Sequence, residues 1–274
     1  MCRVWDAGID YLTITFKAGD RDYVRAMLLV KSEMEKTADG NNAILPWAWN
    51  GYRGEKQGKV MYGEREDGLL VRCSGARARL IAAIFKENNV TGKATRIDFQ
   101  VTAKTKQAVE EYLEITCAKV TANTDSTAGR SARNSATYKS RGRACGMVIG
   151  SRSSTNYHRI YNKTLEQRNR VEPNLVRFEA EKKGDLAVQS WKMYMMAGQP
   201  YYLNCSIIKA EMEILGVDMD WLAYIEKAEF VSSYEPTTPV RQANWLFVHV
   251  RPTVLKLVAL IGRDAVLELL GLDL

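Results

Sequence analysis

Three short segments change chemical character at every residue, and that alternation limits what this chain can fold into more than any other feature. Side chains of an extended strand point to opposite faces in turn, so residues two apart share a face. In "TRIDFQVT", Ile97, Phe99 and Val101 make one apolar face, leaving Arg96, Asp98, Gln100 and Thr102 on the other. "VRFEAEKK" divides likewise into Val176, Phe178 and Ala180 against Arg177, Glu179 and Glu181. In "YHRIYNK" the polar side is Arg159, Tyr161 and Lys163, while Ile160 and His158 fall on the core side. Three such strands side by side predict a sheet with one buried face and one chemically loaded face.

Around them the pattern reads as α+β. "GIDYLTITFK" (8–17) is rich in β-branched and aromatic residues and predicts a strand. A helix is expected from Asp20, with Tyr23, Met27, Val30 and Met34 at helical spacing. "KVMYGEREDGLLVRCSG" (59–75) reads as a hairpin about Asp67-Gly68, followed by a helix from Ala76 to Asn89. The same plan then recurs: the strand at 95–103, the helical "TKQAVEEYLEITCAKV", and a hairpin in "GMVIGSRSSTNYHRIYNK". A second echo links "TRIDFQVTAKTKQAVEEYL" with "VRFEAEKKGDLAVQSWKMY". The expected architecture is an antiparallel sheet platform made of two pseudo-repeated β-α-β-type halves, with a helical C-terminal region. Its divisions are placed at 1–104, 105–205 and 206–274. The Leu-rich helical tail after Pro252 suits core packing or a dimer surface.

Composition narrows the partners. A net charge of +7 and a pI near 9.1 favour a polyanion or simple solubility. Thr121 to Ala144 carries Arg130, Arg133, Lys139, Arg141 and Arg143 against the single acid Asp125, and is expected to be a flexible loop. It reads either as solvated surface or as an arm gripping a nucleic-acid backbone. Five cysteines without a CxxC pair point to neither a disulfide framework nor a zinc knuckle, and fit a reducing cytoplasm. No signal peptide and no membrane span is expected.

The polar faces carry a specific chemistry. Asp98, Glu179 and Glu181 are the oxygen donors a hard divalent cation such as Mg²⁺ or Mn²⁺ takes, with positions left for phosphate and water. A tyrosine hydroxyl attacks phosphorus only if its environment favours the phenolate, and Arg159 and Lys163 are spaced to do that. The same alternation also suits plain cross-strand ion pairs, and a strand tyrosine also suits packing. Two histidines, His158 and His249, cannot supply a paired-histidine metal site and read as structural. Short Gly/Ser turns at Ser74-Gly75 and at 150–154 are weak phosphate-binding signals.

Taken in order, "TRIDFQVT", "IGSRSSTNYHRIYNK" and "VRFEAEKK" resemble the replication initiation factor family of rolling-circle plasmids, integrative-element relaxases and filamentous phages. The resemblance covers roughly residues 90 to 185, with a fainter echo in "GIDYLTITF". It implies a sheet platform like that of the His-hydrophobe-His (HUH) endonucleases, with carboxylates replacing the histidines. It also implies Tyr161 as nucleophile, Lys163 as the motif lysine, and Asp98, Glu179 and Glu181 as metal ligands, with Asp10 a weaker fourth acid. Thr102 stands where plasmid members often have a second aspartate. Without the long N-terminal extension of the plasmid initiators, the chain is expected nearer the phage or integrated-element branch.

The function these readings imply is nicking and rejoining of one DNA strand through a 5′-phosphotyrosyl link, in a bacterial cytoplasm. Partners would be single-stranded or hairpin origin DNA, held by the basic segment and Arg152, with host helicase and polymerase, and a second copy of the chain. Two rivals stand beside it: a non-catalytic single-strand-binding module that stacks bases on Tyr157 and Tyr161, and a metal nuclease that uses water.

Overall fold

Strands form where the alternation predicts them. Among the described residues, ten make one antiparallel sheet: β1 (Arg3–Lys17), β2 (Glu35–Lys36), β3 (Trp47–Asn50), β4 (Lys59–Arg65), β5 (Gly68–Ser74), β6 (Lys93–Lys104), β7 (Ala136–Ser140), β8 (Arg143–Ile149), β9 (Asn156–Asn162) and β10 (Leu175–Lys183). Their order is β2-β3-β4-β5-β1-β6-β10-β9-β8-β7. The helices are α1 (Ala76–Glu87), α2 (Val109–Thr124), α3 (Lys163–Glu166), α4 (Gly184–Met196) and α5 (Pro200–Ile214). The structure, a computed structural model, describes residues 2–24, 35–36, 47–50, 59–65, 68–124, 136–140, 143–167, 172–228 and 258–259. Residues 1–230 form one unit and 231–274 a second, in which only 258–259 are described, as helix.

The strand order is symmetric about the β1–β6 pair. Each half begins with a central lead strand, β1 or β6, runs to the sheet's outer edge, and returns by a meander that ends against the lead strand at β5 or β10. A helix follows each meander, α1 after β5 and α4 after β10. The duplication read from the plan of the chain is therefore visible in the topology, but the second sequence echo pairs the wrong strands. Topology equates β6 with β1 and β10 with β5, not β6 with β10. The sheet also continues through residue 104, so 1–104 and 105–205 are not separate bodies; the halves meet between α1 and β6.

One face of the sheet is a closed core. Ile97, Phe99, Val101, Ile160, Val176, Phe178 and Ala180 are all inaccessible to solvent there, beneath α1, α2, α4 and α5. Phe85 of α1 meets Phe16 edge-on at 5.1 Å and Trp191 of α4 at 6.5 Å. The β4–β5 turn closes on Gly68, whose φ of +150° and 1.8 Å separation between an added Cβ and the Phe16 carbonyl oxygen admit glycine alone. None of the five cysteines is in a disulfide.

Several expectations change. Of the helix expected from Asp20 past Met34, Arg21 to Val24 are helical, 25–34 lie outside the described residues, and Glu35–Lys36 at its end are strand β2 instead, paired with β3. The basic segment is not one loop: Thr121–Thr124 end α2, Lys139 lies in β7 and Arg143 opens β8, while Arg130, Arg133 and Arg141 lie outside the described residues. Strand pairing of Ala136–Ser140 with Arg143–Val148 satisfies backbone groups that a loop would leave to water. The C-terminal helical region begins earlier than 206, at Pro200, where proline suits a first helical turn.

Candidate active site

The polar face is built by register. Cross-strand pairs place Ser74, Tyr11, Asp98, Glu181 and Tyr157 in one row across five strands. The next row is Gly8, Gln100, Glu179 and Arg159, and the one after it Asp6, Thr102, Arg177 and Tyr161. Asp98, Glu179, Glu181, Arg159 and Tyr161, named from parity alone, are thus brought together. Although they lie on the face turned away from the apolar core, Asp98, Glu179 and Glu181 are each only 2% exposed. Long cationic side chains lie over them instead of water.

Each acid has its own cation. Arg96 makes a bidentate pair with Asp98, at 2.8 and 2.7 Å, and reaches Glu181 Oε2 at 2.7 Å. Lys183 Nζ holds Glu181 Oε1 at 2.5 Å. Arg159 Nη2 lies 2.5 Å from Glu179 Oε2 and 3.7 Å from Asp98 Oδ2. Tyr161 donates its hydroxyl to Glu179 Oε1 at 2.6 Å. Arg177, directly opposite Tyr161, donates from Nε to Thr102 Oγ1 at 2.9 Å and places Nη1 3.3 Å from Asp10 Oδ1 and 3.9 Å from Glu179 Oε1. Thr102, where a second aspartate was the alternative, therefore orients an arginine, and its hydroxyl donates a hydrogen bond to Gln100 Oε1 at 3.0 Å.

This electrostatic setting differs from the expected one. Burial pushes the Asp98 carboxyl up to about 6, with Glu181 adding to the rise against the pull of Arg96. Glu179 is also raised, by burial and then by Asp10, despite Arg159. The Tyr161 phenol is raised rather than lowered, first by burial and then by the charge of Glu179, with Arg177 opposing. The closest contact of Arg159 is with Glu179, the carboxylate that accepts the phenol's hydrogen bond.

Lys163 needs a larger correction. It does not continue the β9 face, because Asn162 Oδ1 accepts the Leu165 N–H at 2.9 Å and caps a helical turn that starts at Lys163. Its ammonium pairs with Glu166 at 2.7 Å and lies 5.9 Å from the Tyr161 ring centroid. The Asn-Lys-Thr-Leu stretch carries that N-cap signal, which strand parity overrode. Arg152 sits in the β8–β9 turn with its guanidinium 5.0 Å above the Tyr157 ring and its carbonyl accepting from Lys183, which places it at the acidic row. Hydroxyls of the 150–154 turn are used within it, as Ser151 and Ser153 meet at 2.8 Å and Ser154 donates to Ser151 O at 2.7 Å. Arg96, Arg177 and Asp10 were on the page as polar-face residues or a weak fourth acid; only pairing shows that they touch the site.

Among the described residues no three His, Cys, Asp or Glu side chains converge closely enough to hold a metal ion as they stand, since arginine and lysine groups separate them. The donor set fits a hard cation in kind: Glu179 Oε2 and both oxygens of Glu181 are buried, contact only cations, and accept no hydrogen bond. No described helix is long and apolar enough to cross a membrane.

Among solved structures, the fold is similar to that of a rolling circle replication initiator protein from Geobacillus stearothermophilus, with a TM-score of 0.57 and 15% identity, covering 84% of this chain and 100% of that one. At that identity the likeness concerns the fold. No curated protein matches the chain. The sequence model for replication initiation factors matches residues 92–269, which takes in β6, β9 and β10 with Arg96, Asp98, Arg159, Tyr161, Arg177, Glu179 and Glu181. This chain belongs to the replication initiation factor family.

Proposed function

We propose that the protein initiates rolling-circle replication by nicking one strand of its origin DNA, with Tyr161 as the nucleophile. The observation that carries this reading is the 2.6 Å bond from the Tyr161 hydroxyl to a buried carboxylate, with Arg159 and Arg177 on either side of it. Family membership and the rolling-circle initiator of like fold support it.

In the reaction, the phenol gives its proton to Glu179 Oε1 as its oxygen bonds to phosphorus, and the bond from phosphorus to the 3′ oxygen breaks. That oxygen takes up a proton and becomes the free 3′-OH that a polymerase extends, while the 5′ side stays on Tyr161 as a phosphotyrosine. Burial suits Glu179 to the task, because it raises the carboxylate's proton affinity towards what a base working near neutral pH requires. Arg159 and Arg177 are placed to balance the charge that grows on the phosphoryl oxygens. Reversal by the 3′-OH of a second strand rejoins DNA without an external energy source, since the phosphodiester is exchanged rather than hydrolysed. Asp98, Glu179 and Glu181 would hold Mg²⁺ or Mn²⁺, which when bound supplies Lewis-acid polarisation of the scissile phosphate. Arg96, Arg159 and Lys183 would then turn outward to the DNA backbone. The substrate is single-stranded or hairpin origin DNA, and the residues of the basic segment with Arg152 grip its phosphates.

A stacking module fits less well, because Tyr157 is 3% exposed and the Tyr161 hydroxyl is engaged with an acid. The test is a denaturing gel after incubation with a single-stranded origin oligonucleotide and divalent metal. Wild type should migrate as a covalent adduct mapped to Tyr161, and Tyr161→Phe should bind DNA yet form none. An adduct on another tyrosine overturns the assignment, and cleavage without any adduct favours the water-using nuclease.

A further inference from the structure

Behind the polar face, on the core side of β9 and β10, lies a charged cluster that the nicking chemistry does not use. Glu211 of α5 accepts at Oε2 from Asn156 Nδ2 at 2.7 Å and from His158 Nε2 at 2.8 Å, and at Oε1 from the Lys182 ammonium. A carboxylate only accepts, so His158 carries its proton on Nε2. His158 is 3% exposed, Lys182 1% and Glu211 6%. Four polar groups taken out of water cost several kcal/mol of desolvation, and apolar side chains of like volume would fill the space at no such cost.

What the cluster secures is position. Asn156 and His158 flank Tyr157 in β9 and alternate with it and Arg159; Lys182 stands between Glu181 and Lys183 in β10. A slip of one residue in either strand would turn every site residue to the core face. Three separate donors, two on one strand and one on the next, converge on one carboxylate carried by a helix, so neither strand can slide without breaking a charged, buried bond.

We infer that Glu211 is a positioning residue for the nicking reaction: by holding Asn156, His158 and Lys182 it sets the register and height of β9 and β10, and through them the Tyr161–Glu179 contact on the opposite face. This rests on the assignment of Tyr161 as nucleophile. The near-isosteric Glu211→Gln keeps the volume but loses the charge, and Glu211→Ala serves as the harsher variant. Both are tested by single-turnover adduct formation with a single-stranded origin oligonucleotide, by binding of that oligonucleotide, and by amide hydrogen exchange along 156–162 and 175–183. We expect Glu211→Gln to stay folded and bind DNA as wild type does, with adduct formation slowed by about tenfold to a hundredfold, the loss that a displacement of roughly 1 Å brings. Exchange should quicken in β9 and β10 and not in β1 or β6. Loosened strands with an undiminished adduct rate would overturn the proposal, as would unchanged exchange. Wild type forming no Tyr161 adduct would instead overturn the nucleophile assignment, leaving the exchange result to decide the register role.

Discussion

Replacing Glu179 by Gln separates the carboxylate's chemical part from its structural part. The wild-type side chain is buried, accepts the Tyr161 proton donor at 2.6 Å through Oε1 and faces Arg159 at 2.5 Å through Oε2. Gln preserves volume and can still accept from the phenol, but it takes no proton. Two effects then oppose each other. Losing the negative charge relieves the phenol, which Glu179 helps to hold above its usual range. Losing the base removes about 10²- to 10⁴-fold. The second wins, because even a phenol returned to its ordinary value of about 10 would be ionised to less than roughly 1% at pH 7.5. Adduct formation should therefore fall by about a hundredfold or more, with DNA binding kept. For stability the order reverses between variants. Gln relieves desolvation as it loses the ion pair, so its effect stays within about 1.5 kcal/mol. Glu179→Ala strands Arg159 and the Tyr161 hydroxyl and should cost about 3–5 kcal/mol, lowering Tm by roughly 10 °C. Single-turnover gels and thermal melts measure both. A Gln variant forming adduct within about threefold of wild type would refute Glu179 as the proton acceptor.

Arg177→Gln should slow adduct formation at least about tenfold, whereas Lys163→Ala should change it less than about threefold, because the lysine's partner is Glu166 and such a pair contributes about 0.5 kcal/mol; equal losses would restore Lys163 to the site. In chelator, stability should fall as pH rises from about 4 to about 6. There the native Asp98 carboxyl, raised to about 6, still binds a proton that the unfolded chain has released, so each step upward in pH favours unfolding, by about 3 kcal/mol in total. Melts that strengthen across that range would contradict the burial of Asp98 as a charged group. Glu211 acts lower: burial is outweighed by His158 and Lys182, which hold it near 2, so its stabilising contribution is full above about 4.5 and is lost as pH falls towards 2. Neutralising Arg130, Arg133, Lys139, Arg141 and Arg143 together should weaken binding to every sequence and flatten the log–log salt slope by up to about 3.5 for single strands, and an unchanged slope would place the DNA elsewhere.

Much of the platform was legible in the chain because it depends on a local rule. Period-two alternation is imposed by the backbone of each strand alone, so Ile97, Phe99 and Val101 were separable from Arg96, Asp98 and Gln100 without knowing any neighbour. The same rule named Asp98, Glu179, Glu181, Arg159 and Tyr161 as one face, and the structure brings these five together. It failed at Lys163, where an N-cap from Asn162 ended the strand one residue early. Register is a different matter. Whether Arg177 or Lys163 stands beside the phenol, and whether Arg159 serves Tyr161 or Glu179, depends on which residue of β9 lies opposite which residue of β10, and that is set by contacts far apart in sequence. The order of the strands, which puts β6 between β1 and β10, is likewise long-range, and it is why the echo between 95–113 and 176–194 misled. Burial of the acids under arginines, and with it the rise of Asp98 and Tyr161, belongs to the assembled sheet alone. So does the carboxylate of Glu211: an acid between Lys209 and Glu213 in a helical stretch reveals nothing of its use until α5 is laid against β9 and β10, 53 residues from His158 and 29 from Lys182.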